Sequence, residues 1–380
     1  MKLSKPRTQP RYDRLYVILM PMLATLLALA IGAVLLALLD TNPIEAYAAM
    51  LEGAFGSKNA LADTIVKATP LLLVGIGICI SFRGGVLNIG GEGQLIVGAI
   101  SATYVGLALP ELSFGSLVPI ALLAGFLGGA VWGGIPGILK AYFNVNEILS
   151  TIMMNAIAVQ GMNYLLRGPM IDPVQLEAAS RIPQTARLSR LYDLPRLIPT
   201  RLHLGAALAV VVAIVVYIFL WRTTIGYRIR AVGLNLFASR YAGINVRHYM
   251  VLALLLSGAL AGLAGAVQVY GVHHRMFTDG SATGFTGSAG FNGIVVALFG
   301  QLHPLGAIPA SFFFGALIVG ANAMQRAMQI PSALITTLNG LLVVFVVSSE
   351  YFKRRLEKKR LMDIERIEEL EKPAKMEAAA

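Results

Sequence analysis

Residues 81–99 read SFRGGVLNIGGEGQLIVGA, a glycine-rich polar interruption inside a long apolar block. Residues 69–80 before it and 95–109 after it are apolar enough for a bilayer, which places Arg83, Asn88, Glu92 and Gln94 where hydrocarbon is expected. A charged side chain near the bilayer centre costs at least about 2.5 to 3.5 kcal/mol, so such residues face a bundle interior or an aqueous path. Broken backbone at that depth is tolerated only where protein buries it or where it lines a cavity. The stretch is therefore expected to line the route of a solute through a transporter.

Composition agrees with a membrane setting. Of the 380 residues 56% are hydrophobic and 13% charged, against roughly 25% charged in ordinary soluble domains. Apolar runs of about 20 residues fit transmembrane helices, not the shorter alternating strands of an outer-membrane barrel. The net charge of +11 raises nucleic acid as a partner, but no aromatic–basic module joins the basic residues of the arm, loops and tail. They read as topology signals and contacts to anionic membrane lipid, with no nucleic acid bound. Cys79 is the single cysteine; it forms no internal disulfide and reads as a buried filler.

Lys2, Lys5, Arg7, Arg11 and Arg14 precede the apolar run 15–39. That run is longer than the roughly 7 to 15 residues of a signal-peptide core, so a retained first transmembrane helix with a cytoplasmic start is expected. Further candidate spans fall near 64–82, 90–109, 116–138, 147–166, 203–221, 249–270, 287–301, 305–323 and 333–349. The expectation is an all-α polytopic protein of about ten transmembrane helices, divided into a cytoplasmic basic arm 1–14, a transmembrane domain 15–349 and a charged cytoplasmic tail 350–380, with both termini inside. Loop 222–248, with five arginines and no acidic residue, and the basic start of the tail agree with that parity; loop 167–202, with six arginines, does not. It is assigned outside because its flanking assignments are stronger, and its prolines make it an irregular segment suited to an external partner. The tail itself carries Leu356, Ile364, Ile367 and Leu370 on helical spacing.

A second broken region, 270–309, again combines glycines with Asn292, Gln301 and His303 between short apolar runs. Two glycine-interrupted segments in corresponding halves mark internally duplicated transporters, with the binding site at the repeat interface; an inverted repeat is therefore possible here. In loop 222–248, Asn235 suits a helix N-cap, residues 236–242 a two-turn helix and Gly243 a left-handed C-cap. A short helix exposing Phe237 and Tyr241 beside Arg240 suits the groove of another protein better than a lipid face.

Five motifs now occur in one order: FRGGVLNIGGEGQ at 82–94, TTIGYRIRAVGLN at 223–235, YAGINV at 241–246, SGALAGLAG at 257–265 and GFNGIVVALFG at 290–300. Together they resemble the permease subunits of bacterial ABC importers, within the branched-chain amino acid/ribose permease superfamily and most closely its nucleoside and simple-sugar branch. Residues 60–348 are covered; Leu236 departs from the proline the family often carries there. The resemblance implies a plasma-membrane permease moving nucleosides inward by alternating access, with simple sugars such as a pentose, or a vitamin, as alternatives. It implies three protein partners: a separate ATP-binding cassette subunit, a second permease, like or unlike, and an external substrate-binding protein. It implies no cofactor on this chain, since ATP is bound by the partner, and the sequence has no Gly-Lys-Ser/Thr phosphate loop. Loop 222–248 would be the coupling segment, with Arg230, Gly233, Asn235, Phe237, Arg240, Tyr241 and Gly243 at its heart.

Asn88, Glu92 and Gln94, with Phe291 and Asn292 of the second stretch, are the candidate solute contacts. Amides and carboxylates can meet the hydroxyls and base edges of a nucleoside. Asn88 serves equally well as a tie for the broken backbone, and for Glu92 that structural role is favoured. Lys67 is expected to snorkel to water. Asn155, Gln160, Asn322 and Gln325 are expected to bond helix to helix. His273 and His274 have no carboxylate or cysteine at metal spacing, so no metal site is expected, and no nucleophile–base cluster marks an enzyme. A secondary carrier would have to work through Glu92 and Glu147, the few intramembrane carboxylates.

Overall fold

The computed structural model describes residues 11–348 apart from 179, 180, 282, 332, 335, 336, 339, 342, 343, 346 and 347; the expected tail helix lies outside the described residues. These residues are organised by α-helices: α1 (Arg11–Ala37), α2 (Pro43–Phe55), α3 (Lys58–Arg83), α4 (Gly91–Ala108), α5 (Phe114–Phe143), α6 (Glu147–Arg167), α7 (Pro173–Glu177), α8 (Leu204–Arg222), α9 (Thr224–Leu234), α10 (Leu236–Tyr241), α11 (Val246–Gln268), α12 (Thr283–Thr286), α13 (Ala289–Phe299) and α14 (Pro304–Met328). The chain forms two compact units, one of 1–46 with 328–380 and one of 47–327. The first contains α1 and the described residues after 333, which are helical.

In the second unit, α3, α5, α8, α14 and α11 with its π-helical continuation to His273 are each long and apolar enough to cross a bilayer. The expected span 287–301 is not one continuous crossing. Its helix α13 has 11 residues, about 16 Å at 1.5 Å per residue, against about 30 Å of hydrocarbon. It stops because Gln301 and Leu302 take left-handed backbone, φ 58° and 53°, which ends the apolar run in a tight turn. Hydropathy also hid α2 inside the connection after the first apolar run, where Glu45 and Glu52 break the apolar signal.

Side-chain size sets how this unit packs. The buried heart brings α4, α5 and α11 together along small residues: a Cβ on Gly133 of α5 would come 2.6 Å from the Leu254 carbonyl of α11. Without an apolar driving force between helices in lipid, such close backbone approach is the main source of attraction. It also leaves little volume between these three helices, so the polar groups of the first break are sealed in protein.

Candidate functional site

At the first break, α3 ends in three backbone bonds, from the N–H of Gly84, Gly85 and Val86 to the carbonyls of Ile80, Phe82 and Ser81. Gly85 has φ +75°, a conformation that β-carbon sterics deny most residues. The chain then runs extended to α4, and Asn88 organises it. Asn88 is fully buried; its amide donates to Gln94 Oε1 at 2.9 Å and Ser257 Oγ at 2.8 Å, while its Oδ1 accepts from the Gly90 N–H at 2.9 Å and from Gln94 Nε2. Asn155 of α6 completes the tie, accepting from the Gly93 N–H at 2.8 Å and donating to the Ile89 carbonyl at 2.9 Å. The Gly90 and Gly93 N–H groups and the Ile89 carbonyl thus each find a side-chain partner.

The second break meets the first at Glu92. This carboxylate sits in the first turn of α4 and accepts from the Thr286 hydroxyl and from the Gly290 N–H at 2.8 Å. Gly290 opens α13, and a Cβ on Gly91 would lie 3.2 Å from its carbonyl. Two helix N-termini therefore converge on one buried acid. Each carries about half a positive charge, and Glu92 between them accepts from the α13 terminus at Gly290. Around this junction Phe291 is 47% exposed and Asn292 half-buried, whereas Asn88, Glu92 and Gln94 are buried.

The candidate coupling segment is built as two short helices. Asn235 ends α9 and caps α10, its Oδ1 accepting from the Phe237 and Ala238 N–H groups at 3.0 Å each. Gly243, φ +75°, turns the chain out of α10. Phe237 is 80% and Tyr241 98% exposed, with Arg240 also exposed. Gly233 lies against the first break: a Cβ there would be 2.7 Å from the Gly85 nitrogen, and one on Gly85 would be 2.9 Å from the Gly233 Cα. Arg230 donates to the Leu220 carbonyl at 3.0 Å and lies 5.3 Å from the Trp221 ring.

Arg83 is not at mid-span, as its place in the apolar block implied. It closes the last turn of α3, donating to the carbonyls of Leu302 and Gln301 at 3.1 and 3.2 Å and standing 5.5 Å from the Trp221 ring. Trp221 in turn meets the His303 ring at 4.8 Å, tilted by 48°. The end of α3, the end of α8, the coupling helix α9 and the turn before α14 are therefore clasped around one indole. The sequence reading missed this clasp and the partners Ser257 and Thr286, because each lies far along the chain from the group it meets. Asn155 bonds across elements as expected; among the described residues Gln160 accepts from Asn163 of its own helix, and Asn322 is exposed. Glu147 pairs with Lys140 at 2.9 Å, leaving Glu92 as the buried carboxylate among the described residues.

Residues 60–347 match the family described as the permease component of the branched-chain amino acid transport system. The chain belongs to that family. The permease is similar to the guanosine ABC transporter permease of Bacillus subtilis, 37% identical over 88% of this chain and 94% of that one. It is 34% identical to the glucose ABC transporter permease of Haloferax volcanii, over 88% of each chain. It is 29% identical to a nucleoside ABC transporter permease of Lactococcus lactis, over 87% of this chain and 90% of the relative. No solved structure matches the permease. As a permease component it is a multi-pass membrane protein and not an enzyme; ATP hydrolysis belongs to a separate subunit.

Proposed function

We propose that the permease carries nucleosides into the cell by alternating access, driven by ATP bound and hydrolysed on a partner ATPase. The observation that carries this reading is the exposed, capped helix α10, whose neighbour α9 rests through Gly233 on the first break. A force applied to Phe237 and Tyr241 reaches the end of α3 through backbone contact. Closure of two ATPase subunits would then move the breaks together and exchange outward-open for inward-open states. The solute path runs beside Phe291 and Asn292, with Asn88, Glu92 and Gln94 forming the wall that holds the broken backbone. Each permease supplies half of that path and pairs with a second one. An external binding protein delivers the solute to the face carrying loop 167–202, and both termini lie in the cytoplasm.

Nucleosides are preferred because the FRGGVLNIGGEGQ stretch resembles that branch and because two of the relatives named above carry nucleoside permease names. Similarity to a glucose permease over the same share of the chain supports a second reading, a simple sugar. The test is uptake into proteoliposomes holding the whole complex with its binding protein. Labelled guanosine should accumulate only with ATP supplied to the ATPase and be indifferent to uncouplers. Accumulation of glucose or ribose instead would move the assignment to sugars, and uptake that follows a proton gradient without ATP would overturn the importer reading altogether.

A further inference from the structure

One group of side chains is used neither by the junction at Glu92 nor by the coupling segment. Lys67 stands about 14 Å along α3 from Lys58, in the half of that helix remote from the coupling segment. Its ammonium approaches the turn between α12 and α13, 3.9 Å from where a Cβ on Gly287 would lie. It is half-buried, and among the described residues it has no hydrogen bond and no carboxylate at ion-pair distance. Gln268, the buried last residue of α11, donates to the Phe285 carbonyl at 2.9 Å, while its Oε1 is buried without a partner among the described residues. The π-helical turn Val269–His273 follows, a backbone form frequent at functional sites. It brings His273 to the same carbonyl at 3.2 Å; since a carbonyl only accepts, Nε2 carries the proton and Nδ1 is left as an acceptor. The rings of His273, Phe277 and Phe285 are 5.1 to 5.9 Å apart.

We infer that this cluster is the subsite for the base of the transported solute, an inference that rests on the nucleoside reading above. An ammonium only donates, and the oxygen of a side-chain amide only accepts. Gathered at one turn beside an aromatic wall, they complement a planar ring that carries a carbonyl next to an N–H, the edge shared by guanine, hypoxanthine and uracil. A sugar hydroxyl can also accept from the ammonium and donate to the amide oxygen, but a sugar has no flat face to lay against the Phe277 and Phe285 rings. A lipid headgroup would meet Lys67 alone and leave the Gln268 oxygen stranded.

The test uses guanosine uptake by the complete complex in proteoliposomes. Wild-type uptake decides the parent reading, since a complex that moves sugar and no nucleoside ends that reading and this subsite with it. Where wild type moves guanosine, Lys67→Met and Gln268→Leu should each raise KM about tenfold, the loss typical of one buried or charged hydrogen bond, with maximal rate and assembly retained. In Lys67→Cys, alkylation with 2-bromoethylamine restores an ammonium and should restore KM, and saturating guanosine should slow that alkylation; Cys79 is fully buried and stays silent. Unchanged KM in both substitutions, or alkylation that guanosine does not slow, overturns the subsite and assigns Lys67 to the lipid surface.

Discussion

Asn88 shows how much a single amide can hold. It joins α4, α11 and the extended link between α3 and α4, and all its partners are buried. Asn88→Leu matches it roughly in volume but strands the Ser257 hydroxyl, the Gln94 amide and the Gly90 N–H. Each buried group so orphaned costs about 1 to 3 kcal/mol. The expected outcome is a complex that unfolds several degrees lower, with maximal uptake rate reduced and KM little changed, measured by thermal unfolding in detergent alongside transport. A raised KM at unchanged thermal stability would make Asn88 a solute contact instead of part of the wall. The sequence already showed that something polar had to be satisfied at 88, 92 and 94, because hydrocarbon does not tolerate such groups. It did not show by what, since Ser257 and Thr286 are ordinary residues made significant only by tertiary contact. The place of Lys67 follows the same rule: nothing local to a lysine on an apolar helix tells of the turn at Gly287 that stands beside it.

At the level of elements, the coupling segment was the most legible part of the chain. Its helix, cap and exit turn follow from local chemistry, with Asn235 and Gly243 at fixed offsets, and needed no distant partner. What remained hidden was the seat of Gly233 on Gly85, a contact between backbones that carries no side-chain signature. Two kinds of variant should separate docking from transmission. Phe237→Ala with Tyr241→Ala removes the exposed anchors and should abolish co-purification of the ATPase. Gly233→Val leaves the anchors intact but drives side-chain atoms into the Arg83 carbonyl and Gly85, and should leave the ATPase bound while uptake per ATP hydrolysed falls at least about tenfold. Normal uptake in the double alanine variant would refute the docking assignment. A second element follows pH. Residues 185–194 of the connection between α7 and α8 bond along 270–276, through Thr185 to Met276, Leu188 to His274 and Leu194 to Tyr270, and His274 Nδ1 meets Asp193 Oδ1 at 2.7 Å. Burial lowers the His274 pKa from its ordinary 6.5; Asp193 opposes the shift, and Arg187 and Arg196 add to it. A base depressed by folding binds fewer protons folded than unfolded, so stability is present above about pH 6.5 and is lost as pH falls through the lowered value. Thermal unfolding followed from pH 7.5 to 5 should show that acid limb, and His274→Asn, which suits the left-handed backbone at φ 58°, should reduce it, the remainder coming from His203, whose pKa burial lowers to about 4.

For the whole molecule, the proposed mechanism requires one orientation of the two breaks, the clasp and the candidate coupling segment. The first break's α3 end, Trp221 and α9 are gathered together, whereas residues 183–204 and 270–281 are gathered elsewhere in the same unit, the two groups separated along α3, α8 and α11. If α10 faces the cytoplasm, where ATP is, the arginine-rich connection 167–202 faces outward against the positive-inside tendency. That tendency is a statistical preference of short loops, and this connection is tied to the rest of its unit: Tyr192 donates to the carbonyls of Pro110 and Leu112 at 2.6 and 3.2 Å. The orientation can be read directly, because Cys79 is buried and gives little background. Leu191, 77% exposed in the connection, and Leu234, 86% exposed at the end of α9, are each replaced by cysteine in intact cells carrying the whole complex. A membrane-impermeant maleimide should label Leu191→Cys at once and Leu234→Cys only after the cells are opened. The reverse pattern would put α10 outside, where no ATPase can reach it, and the mechanism would lose its drive even though every contact around Asn88 and Glu92 stayed in place.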